Sequence, residues 1–361
     1  MQNKEGLQMI RLIKQLRKEL HNCAEISGKE EKTKALLMDF LKNHTTLELN
    51  PCGEGFYAAH REENAAEPTI ALRADYDALA MPDGTASHLC GHDGHAAALC
   101  GAALMAEGKT FERNIFFLFQ PAEETGAGAE PCCELFEKEQ IDEIYGTHNL
   151  PGFPLGQVTT RPGTFACASR GVTLLFKGKP THAAYPENGI SPATATGRLL
   201  CEIPVLSAAK KYTAMTLCTV IGVKMGEKAF GAAAEQAEVW LTLRAEHDCD
   251  LNVLQDAILQ FSEQLSAEYH LTFSYELQDI FPATENTPAK AEKVLSLFNG
   301  TTLSVPMRWS EDFGHYLNHC EGAFFGIGAG EEHPPLHTEH YEYPDALLQP
   351  AMDIFYKLME A

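Results

Sequence analysis

The chain has 361 residues and carries 28 Lys and Arg against 50 Asp and Glu, which gives a formal net charge of −22. This length predicts two domains, and the 45% hydrophobic content is ample for a core in each. A charge of this sign repels phosphate backbones and anionic lipid headgroups, and no cluster of Lys and Arg offsets it locally. We therefore expect neither nucleic acid nor a membrane as a partner.

The amino-terminal sequence and the cysteines indicate a location. Residues 1–20 mix charged and apolar side chains and lack the apolar segment of a signal peptide, and no run approaches the ~20 apolar residues that span a bilayer. The 11 cysteines are odd in number and irregularly spaced, which is typical of thiols in a reducing compartment. The expected location is the cytoplasm.

In the first part of the chain, helices and strands alternate. Apolar spacing predicts a first helix over residues 6–21 and a second over residues 31–44. Ser27 and Glu30 have the spacing of a capping box before the second helix. A third helix is predicted over residues 93–108, and strands are predicted at residues 56–60, 69–75, 114–120 and 143–149. This alternation predicts an α/β fold.

From about residue 171 the pattern changes. It predicts strand, helix, strand, strand, helix and strand at residues 172–178, 191–203, 214–223, 237–245, 250–265 and 271–277. The order βαββαβ is that of a ferredoxin-like unit. The predicted architecture is therefore an α/β domain formed by residues 1–167 and 281–361, interrupted by an inserted ferredoxin-like domain over residues 168–280.

The stretch HLCGHDGH, residues 88–95, concentrates side chains that bind metal or move protons. Cys90 and His92 are separated by one residue, and no matching Cys pair follows to close a structural zinc site. The stretch lies between a predicted strand and a helix, where α/β folds bind their ligands. For Cys90 and His92 alone, packing in a core is the simpler interpretation.

Three later segments favour a catalytic site. The strand over residues 114–120 is followed by the adjacent carboxylates Glu123 and Glu124, whose mutual repulsion a bound cation offsets. The next strand delivers His148, and His337 follows near the end of the chain. A solvated turn for the glutamates and a core position for His148 are the alternative interpretations.

Together these side chains suit a pair of metal ions. Two divalent ions ~3.5–4 Å apart need about this number of N, O and S ligands, with one position left open for water. One glutamate of the pair would bind metal, and the other would accept a proton from water as a general base, which typically contributes ~10²–10⁴ in rate.

The chain resembles the dinuclear metallo-aminoacylase and carboxypeptidase superfamily. It is most similar to the amidohydrolase branch, which includes hippurate hydrolases, indole-acetyl-amino-acid hydrolases and N-acetyl-diaminopimelate deacetylases. The segments that carry the resemblance run almost end to end: RKELHNCAEISGKEEKT, LRADYDALAMPDG, HLCGHDGHAAALCGAAL, FQPAEETGAGA, GTHNLPGFPLGQV, FKGKPTHAAYPENGISP, FPATEN, WSEDFGHYL and LHTEHY.

The resemblance implies a site with two divalent metal ions, which we expect to be zinc, with manganese, cobalt or nickel as alternatives. The implied ligands are Cys90, at or near the bridging position, His92, Glu124, His148 and His337. Glu123 is implied as the general base. Asp75 and Asp77 are implied as supports that orient the ligands, although a turn at the end of a strand is the other interpretation.

The resemblance also assigns roles to the inserted domain. In the family, the histidine that matches His182 reaches across a dimer interface and stabilises the developing oxyanion in the partner's site, so the inserted domain is implied to be a lid and dimerisation domain of a homodimer. Arg244 is the expected clamp for a substrate carboxylate, or else a strand arginine facing water. Gly231 stands where the family commonly has an Asn that contacts substrate, so the resemblance leaves the substrate open. Thr125 replaces a usual glycine, a change that we expect to be tolerated.

The expected function is that of a metal-dependent amidohydrolase that cleaves the amide bond of N-acyl amino acids. Alternatives are a dipeptidase or carboxypeptidase acting on short peptides, or a non-catalytic dimer that binds metal or a ligand. A further alternative, Cys90 as a nucleophile, requires an accessible thiolate that is not bound to metal.

Overall fold

The computed structural model describes residues 4–361, which fall into two compact units. The first unit consists of the described chain up to Phe165, together with Thr284–Pro306 and Asp312–Ala361. The second consists of Ala166–Ala283 and Met307–Glu311. Residues 1–3, which the sequence assigns to the α/β domain, lie outside the described residues.

Ten helices and eighteen strands are assigned within residues 4–361. The helices are α1 (Lys4–Asn22), α2 (Glu31–His44), α3 (His92–Ala106), α4 (Ala129–Cys132), α5 (Glu134–Glu139), α6 (Ala193–Leu206), α7 (Asp248–Glu268), α8 (Pro288–Phe298), α9 (Gly314–Leu317) and α10 (Leu348–Glu360). The strands are β1 (Glu48–Cys52), β2 (Gly55–His60), β3 (Ile70–Asp75), β4 (Leu79–Ala80), β5 (Ala86–Ser87), β6 (Ile115–Gln120), β7 (Glu143–Pro151), β8 (Val158–Thr160), β9 (Gly163–Ala166), β10 (Ala168–Lys177), β11 (Thr181–His182), β12 (Thr216–Met225), β13 (Ala232–Ala233), β14 (Gln236–Ala245), β15 (Thr272–Phe281), β16 (Thr284–Asn286), β17 (Thr301–Thr302) and β18 (Glu321–Gly330).

An eight-stranded mixed sheet forms the centre of the first unit, in the order β1-β2-β6-β3-β7-β18-β8-β17. Four adjacent strands at its centre run parallel to one another: β6, β3, β7 and β18. Strands β3 and β6 are buried along their whole length, as their nearly continuous apolar sequences require. The predicted mixed α/β fold is confirmed, and the carboxyl ends of β3, β6 and β7 lie at one edge of the sheet.

Helix α3 is buried on almost its whole surface, with 13 of its 15 residues buried. The sequence explains this, because the helix is rich in alanine and lacks a polar face beyond its first turn. Small side chains let it pack closely against α1, α10 and β3. This packing fixes the start of α3, where His92 lies.

Helix α2 occupies the predicted range, but the predicted capping box is wrong. Glu30 makes no side-chain hydrogen bond to the first turn of the helix. Instead, the backbone N–H and the hydroxyl of Thr33 donate to Oε2 of Glu25 at 2.8 and 2.9 Å. Ser27 Oγ lies 3.1 Å from the hydroxyl oxygen of Thr125. Glu25 thus provides the acceptor that helix amino termini need.

The second unit contains a four-stranded antiparallel sheet in the order β12-β14-β10-β15. Along the chain, its main elements follow the order β10, α6, β12, β14, α7 and β15, as the sequence pattern predicts. Alternate side chains of β14 are buried, and Val239, Leu241 and Leu243 form a core with Leu199 of α6 and Leu254 of α7. This alternation is that of a sheet with helices on one face.

No helix within residues 4–361 combines the length and apolar character needed to cross a bilayer. All eleven cysteines of the chain are among the described residues, and each is a thiol there.

Gly94, in the first turn of α3, tests the packing that holds this helix. A Cβ at Gly94 would lie 2.1 Å from the ring of the buried Tyr343. Because overpacking typically costs ~1–3 kcal/mol, Gly94→Ala is expected to lower the free energy of unfolding by about that amount. Gly197→Ala in α6 is the control: a Cβ there meets no atom within 4 Å, so a gain of ~0.5–1 kcal/mol is expected. Denaturant unfolding measures both, and stabilisation by Gly94→Ala would contradict the packing.

Candidate metal centre

The residues predicted to bind metal or to act as general base all lie in the first unit. They share positions at, or just beyond, the end of a strand of the large sheet or the start of α3. They are Cys90 and His92 between β5 and the first turn of α3, Glu123 and Glu124 after β6, His148 near the end of β7, and His337 after β18. The topology therefore brings together residues that are far apart in sequence.

Cys90 lies between two histidines. Its Sγ is 3.3 Å from Nε2 of His148 and 3.3 Å from Nε2 of His337. Nε2 of His337 is also 3.8 Å from an oxygen of Glu124. Cys90 thus joins His148 on one side to His337 and Glu124 on the other.

His92 faces the pair of glutamates. Its Nε2 lies 3.9 Å from Oε2 of Glu123 and 3.9 Å from Oε1 of Glu124. His92 and Glu123 are buried, and Glu124 is nearly so. The alternative of a solvated turn for the two glutamates is therefore excluded.

Atoms that can bind an ion lie within 4.8 Å of one another in four groups of three residues. Three of the groups contain only the predicted residues: Cys90, His92 and His148; Cys90, Glu124 and His337; and His92, Glu123 and Glu124. Because these groups share members, they form one continuous cluster. The fourth group, Asp75, His92 and His95, adjoins it.

The turn between Cys90 and His92 requires glycine. Gly91 has φ of 94°, a left-handed conformation that side chains with a Cβ rarely adopt. A Cβ on Gly91 would also lie 2.5 Å from the Tyr341 hydroxyl and 2.7 Å from Nδ2 of Asn149. The sequence Cys-Gly-His therefore directs both flanking side chains into the cluster.

Hydrogen bonds orient two of the histidines with Nε2 towards the cluster. Nδ1 of His148 lies 2.8 Å from the carbonyl oxygen of Asn149, and Nδ1 of His92 lies 3.0 Å from Oδ1 of Asp77. Because both partners are acceptors, each Nδ1 carries the proton and donates it. Nε2 of each ring is thereby directed at the cluster, as in a metal ligand.

Asp77 links two predicted ligands. Besides His92, its carboxylate accepts the backbone N–H of Glu124, at 3.0 Å to Oδ2. Burial acts to raise the pKa of Asp77, but the hydrogen bond and charge of His92 outweigh it, so the pKa lies below its usual value. Asp77 is thus an ionised group that orients both neighbours.

Asp75 contacts residues beside the predicted ligands. Oδ1 lies 2.6 Å from Nδ1 of His95, and Oδ2 lies 2.6 Å from Nη1 of Arg73. The other ring nitrogen of His95 accepts the backbone N–H of Asn149 at 3.2 Å. Asp75 and His95 hydrogen-bond to each other, and each also bonds to a neighbouring group. The group of Asp75, His92 and His95 is therefore better suited to supporting the ligands than to binding metal.

No role was predicted for three residues beside the cluster, His95, Asn149 and Tyr341, although His95 belongs to the stretch HLCGHDGH. Asn149 donates from Nδ2 to the carbonyl oxygen of Cys90 at 2.7 Å, and the hydroxyl of Tyr341 donates to Oδ1 of Asn149. Asn149 therefore connects the strand that bears His148 to the turn that bears Cys90. Its position next to His148 in the motif GTHN was the one signal in the sequence.

Two of the histidines are neutral. Burial and the nearby His95 hold the pKa of His148 well below its usual value. Burial and the charge of His92 lower the pKa of His337. Neutral imidazoles are the form that binds metal.

The pKa values of His92 and Glu124 are both raised, and nearby negative charge contributes to each shift. Burial alone would lower the pKa of His92, but the carboxylates of Asp75 and Asp77 raise it well above its usual value. Burial raises the pKa of Glu124 to about 7, and the attraction of His92 offsets this only in part. The carboxylates around His92 therefore favour positive charge at this place, which a bound cation would supply.

The residues fit a pair of divalent metal ions. Nε2 of His92 and Oε1 of Glu124 are buried and make no hydrogen bond among residues 4–361. Buried polar atoms without a partner are costly, and a coordinated cation satisfies them. A thiol, imidazoles and carboxylates are also the donor set that transition-metal ions prefer.

His182 and Arg244 belong to the second unit. His182 is exposed at the end of β11, and its Nδ1 accepts the backbone N–H of Ala184 at 3.0 Å. Arg244 in β14 donates from Nη1 to Oγ of Ser310 at 2.8 Å and to the carbonyl oxygen of Arg308 at 3.0 Å. Arg244 is thus half-buried and fixed rather than simply facing water.

Comparison with known proteins relates the chain to a peptidase family and to deacetylases. The model of the family described as "Peptidase family M20/M25/M40" matches residues 71–361. The N-acetyl-L-cysteine deacetylase of Bacillus subtilis is 30% identical over 336 residues, which cover 88% of this chain and 80% of the relative. An N-acetyldiaminopimelate deacetylase of Listeria monocytogenes is 26% identical over 365 residues, which cover 96% and 98%.

Solved structures share the fold. The YXEP protein of Bacillus subtilis, a dinuclear metal-binding peptidase, has a TM-score of 0.80 and 22% identity, with 98% of each chain covered. The aminobenzoyl-glutamate utilization protein of Klebsiella pneumoniae has a TM-score of 0.76 and 16% identity, with 100% of this chain and 98% of the other covered. The protein described here is therefore a member of peptidase family M20/M25/M40.

Proposed function

We propose that the protein is a metal-dependent amidohydrolase that cleaves the amide bond of N-acyl amino acids. The observation that carries this proposal is the convergence of five ligand side chains beside a further buried carboxylate, that of Glu123, which lies 3.9 Å from Nε2 of His92. The relatives support the substrate class, because two of them are deacetylases of N-acetyl-L-cysteine and N-acetyldiaminopimelate.

Five side chains would hold two divalent ions: Cys90, His92, Glu124, His148 and His337. Bound ions of this kind polarise the amide carbonyl and lower the pKa of water. Zinc suits thiolate and imidazole best, and manganese, cobalt or nickel fit the same donor set. Cys90 must stay reduced to bind metal, which supports the cytoplasm as the proposed location.

Glu123 is the proposed general base. Its carbonyl oxygen accepts the N–H of Gly126 at 2.8 Å, so a tight turn fixes the backbone that carries it. The carboxylate takes one proton from the attacking water while the water oxygen adds to the amide carbon. When the C–N bond breaks, Glu123 gives this proton to the leaving nitrogen, which departs as an amine, and the carboxylate is restored.

His182 and Arg244 are the proposed contacts to the substrate. Because Nδ1 of His182 accepts a backbone N–H, its neutral ring carries the other proton on Nε2, where it can stabilise an oxyanion. Arg244 uses one nitrogen within the chain and keeps further donors for a substrate carboxylate.

We further propose a homodimer formed through the second unit, in which His182 serves the partner's site. Strand β12 lies at an edge of its sheet, and its side chains Val220, Ile221 and Val223 are exposed. An edge strand with apolar side chains is a template for pairing with a second copy.

Glu123→Gln tests the general base. The amide cannot accept the proton, so kcat is expected to fall by ~10²–10⁴ while bound metal, measured by elemental analysis, is unchanged. Glu130→Gln is the control, because Glu130 is exposed and outside the cluster. Turnover of Glu123→Gln close to that of the unmodified protein would remove the assigned role.

Chelation tests the metal dependence. Removal of metal is expected to abolish hydrolysis and to lower stability, since an ion at 100 times its Kd adds ~2.7 kcal/mol to the free energy of unfolding.

Reconstitution with each metal is followed by assay of acetyl-, benzoyl- and indole-acetyl amino acids and of dipeptides. Cys90→Ser is expected to reduce the metal content. Full activity in the chelated protein would contradict the proposal, and hydrolysis of dipeptides alone would favour a peptidase.

His182→Ala tests the shared site. Turnover is expected to fall without a change in metal content, because His182 is not a ligand. When His182→Ala is mixed with Glu123→Gln, heterodimers with one intact site are expected to recover up to about a quarter to a half of the activity. If the mixture stays as inactive as its components although exchange of subunits is verified by mass, the site is not shared.

A further inference from the structure

The residue before Glu123 has an unusual backbone conformation. Ala122 has φ of 53°, in the left-handed region that residues with a Cβ rarely adopt. Such a conformation persists where surrounding contacts hold it in place. Because the peptide of Ala122 sets the direction in which the next side chain leaves the backbone, the contact that holds Ala122 also aims Glu123.

The backbone N–H of Ala122 is held by the side chain of Glu30, and its carbonyl oxygen accepts the N–H of Ala127 at 3.1 Å. Oε1 of Glu30 accepts the backbone N–H of Ala122 at 3.0 Å and the backbone N–H of Gly28 at 2.6 Å. Glu30 is 6% exposed, so solvent competes little for these bonds. The role is distinct from the capping of α2, to which the side chain of Glu30 does not contribute.

The segment that contains Glu30 is itself attached to the loop after β3. The backbone N–H of Ser27 donates to the carbonyl oxygen of Ala78 at 3.2 Å, and the N–H of Ala78 donates to the carbonyl oxygen of Glu25 at 3.0 Å. Ala78 follows Asp77, which orients His92. Residues 25–30 thus connect the loop that holds Asp77 with the loop that holds Glu123.

We infer that Glu30 is a positioning residue for the hydrolytic reaction, which fixes the left-handed peptide of Ala122 and thereby aims the carboxylate of Glu123. The inference rests on the proposed role of Glu123. Proton transfer depends steeply on geometry, and a displacement of ~1 Å at a catalytic group costs on the order of 10² in rate. Glu30 needs only its oxygen acceptor for this role, not its charge.

Kinetics of Glu30 variants test the inference in the metal-loaded protein. Glu30→Ala is expected to lower kcat by ~10–100-fold, with KM changed less than about threefold and metal content unchanged. Glu30→Gln is expected to keep kcat within about threefold, because its amide oxygen accepts the same two N–H groups. Glu31→Ala is the matched control, since Glu31 is the exposed neighbour in α2. Equal losses in Glu30→Ala and Glu30→Gln would overturn the inference.

A double-mutant cycle separates this inference from the role of Glu123. In a Glu123→Gln background, Glu30→Ala is expected to lower the residual rate less than about twofold, because the aimed group is already absent. The same 10–100-fold loss in both backgrounds would show that Glu30 acts on something else. Turnover by Glu123→Gln close to normal would instead refute the proposed function, whatever Glu30 does.

Hydrogen exchange provides a readout that does not need activity. The amide of Ala122 is expected to exchange at least tenfold faster in Glu30→Ala than in Glu30→Gln or Glu31→Ala, with the exchange of β6 unchanged. Equal exchange of Ala122 in all variants would overturn the inference. If Glu30→Ala does not fold, Glu30→Asp takes its place, because it keeps a carboxyl group but shortens the side chain by one methylene.

Discussion

One carboxylate, that of Asp77, holds the side chain of one predicted ligand and the backbone of another. Oδ1 accepts from the His92 ring at 3.0 Å, and Oδ2 accepts the backbone N–H of Glu124 at 3.0 Å. Because Asp77 follows β3 and Glu124 follows β6, a single group sets the spacing between loops of neighbouring parallel strands. Breaking a buried charged pair of this kind typically costs ~3–5 kcal/mol, so the spacing resists change.

The balance of buried charge explains why the cluster suits cations. Arg73 is fully buried, and its guanidinium contacts Asp75 at 2.6 Å and Asp312 at 3.0 Å. Burial raises the pKa of Asp312 to about 6, although Arg73 acts to lower it. Arg73 therefore contacts two aspartates, and His92 lies 3.9 Å from both Glu123 and Glu124. These four carboxylates outnumber the two cationic groups beside them. Bound divalent ions would supply the positive charge that the protein side chains lack.

Features that depend on the local sequence pattern could be predicted from the sequence, whereas features that depend on contacts between distant residues could not. Motifs at strand ends predicted that Cys90, Glu124 and His337 would meet, since parallel strands place their carboxyl ends together. Apolar periodicity predicted helix α2. It did not predict that Glu25 caps the helix, because Glu25 reaches Thr33 only where the chain bends back. Asn149 was missed for the same reason: its bond to the carbonyl oxygen of Cys90 spans 59 positions.

Hydrogen bonds within the chain hold unusual backbone conformations at and next to the cluster. Ala122 and His337 both have left-handed φ, of 53° and 61°, and such residues each cost on the order of 1–3 kcal/mol. The backbone N–H of each donates to a group outside the cluster: that of Ala122 to Oε1 of Glu30 at 3.0 Å, and that of His337 to the carbonyl oxygen of Leu89 at 2.8 Å. Since these bonds do not involve an ion, the fold itself aims the side chains, as a preorganised site requires.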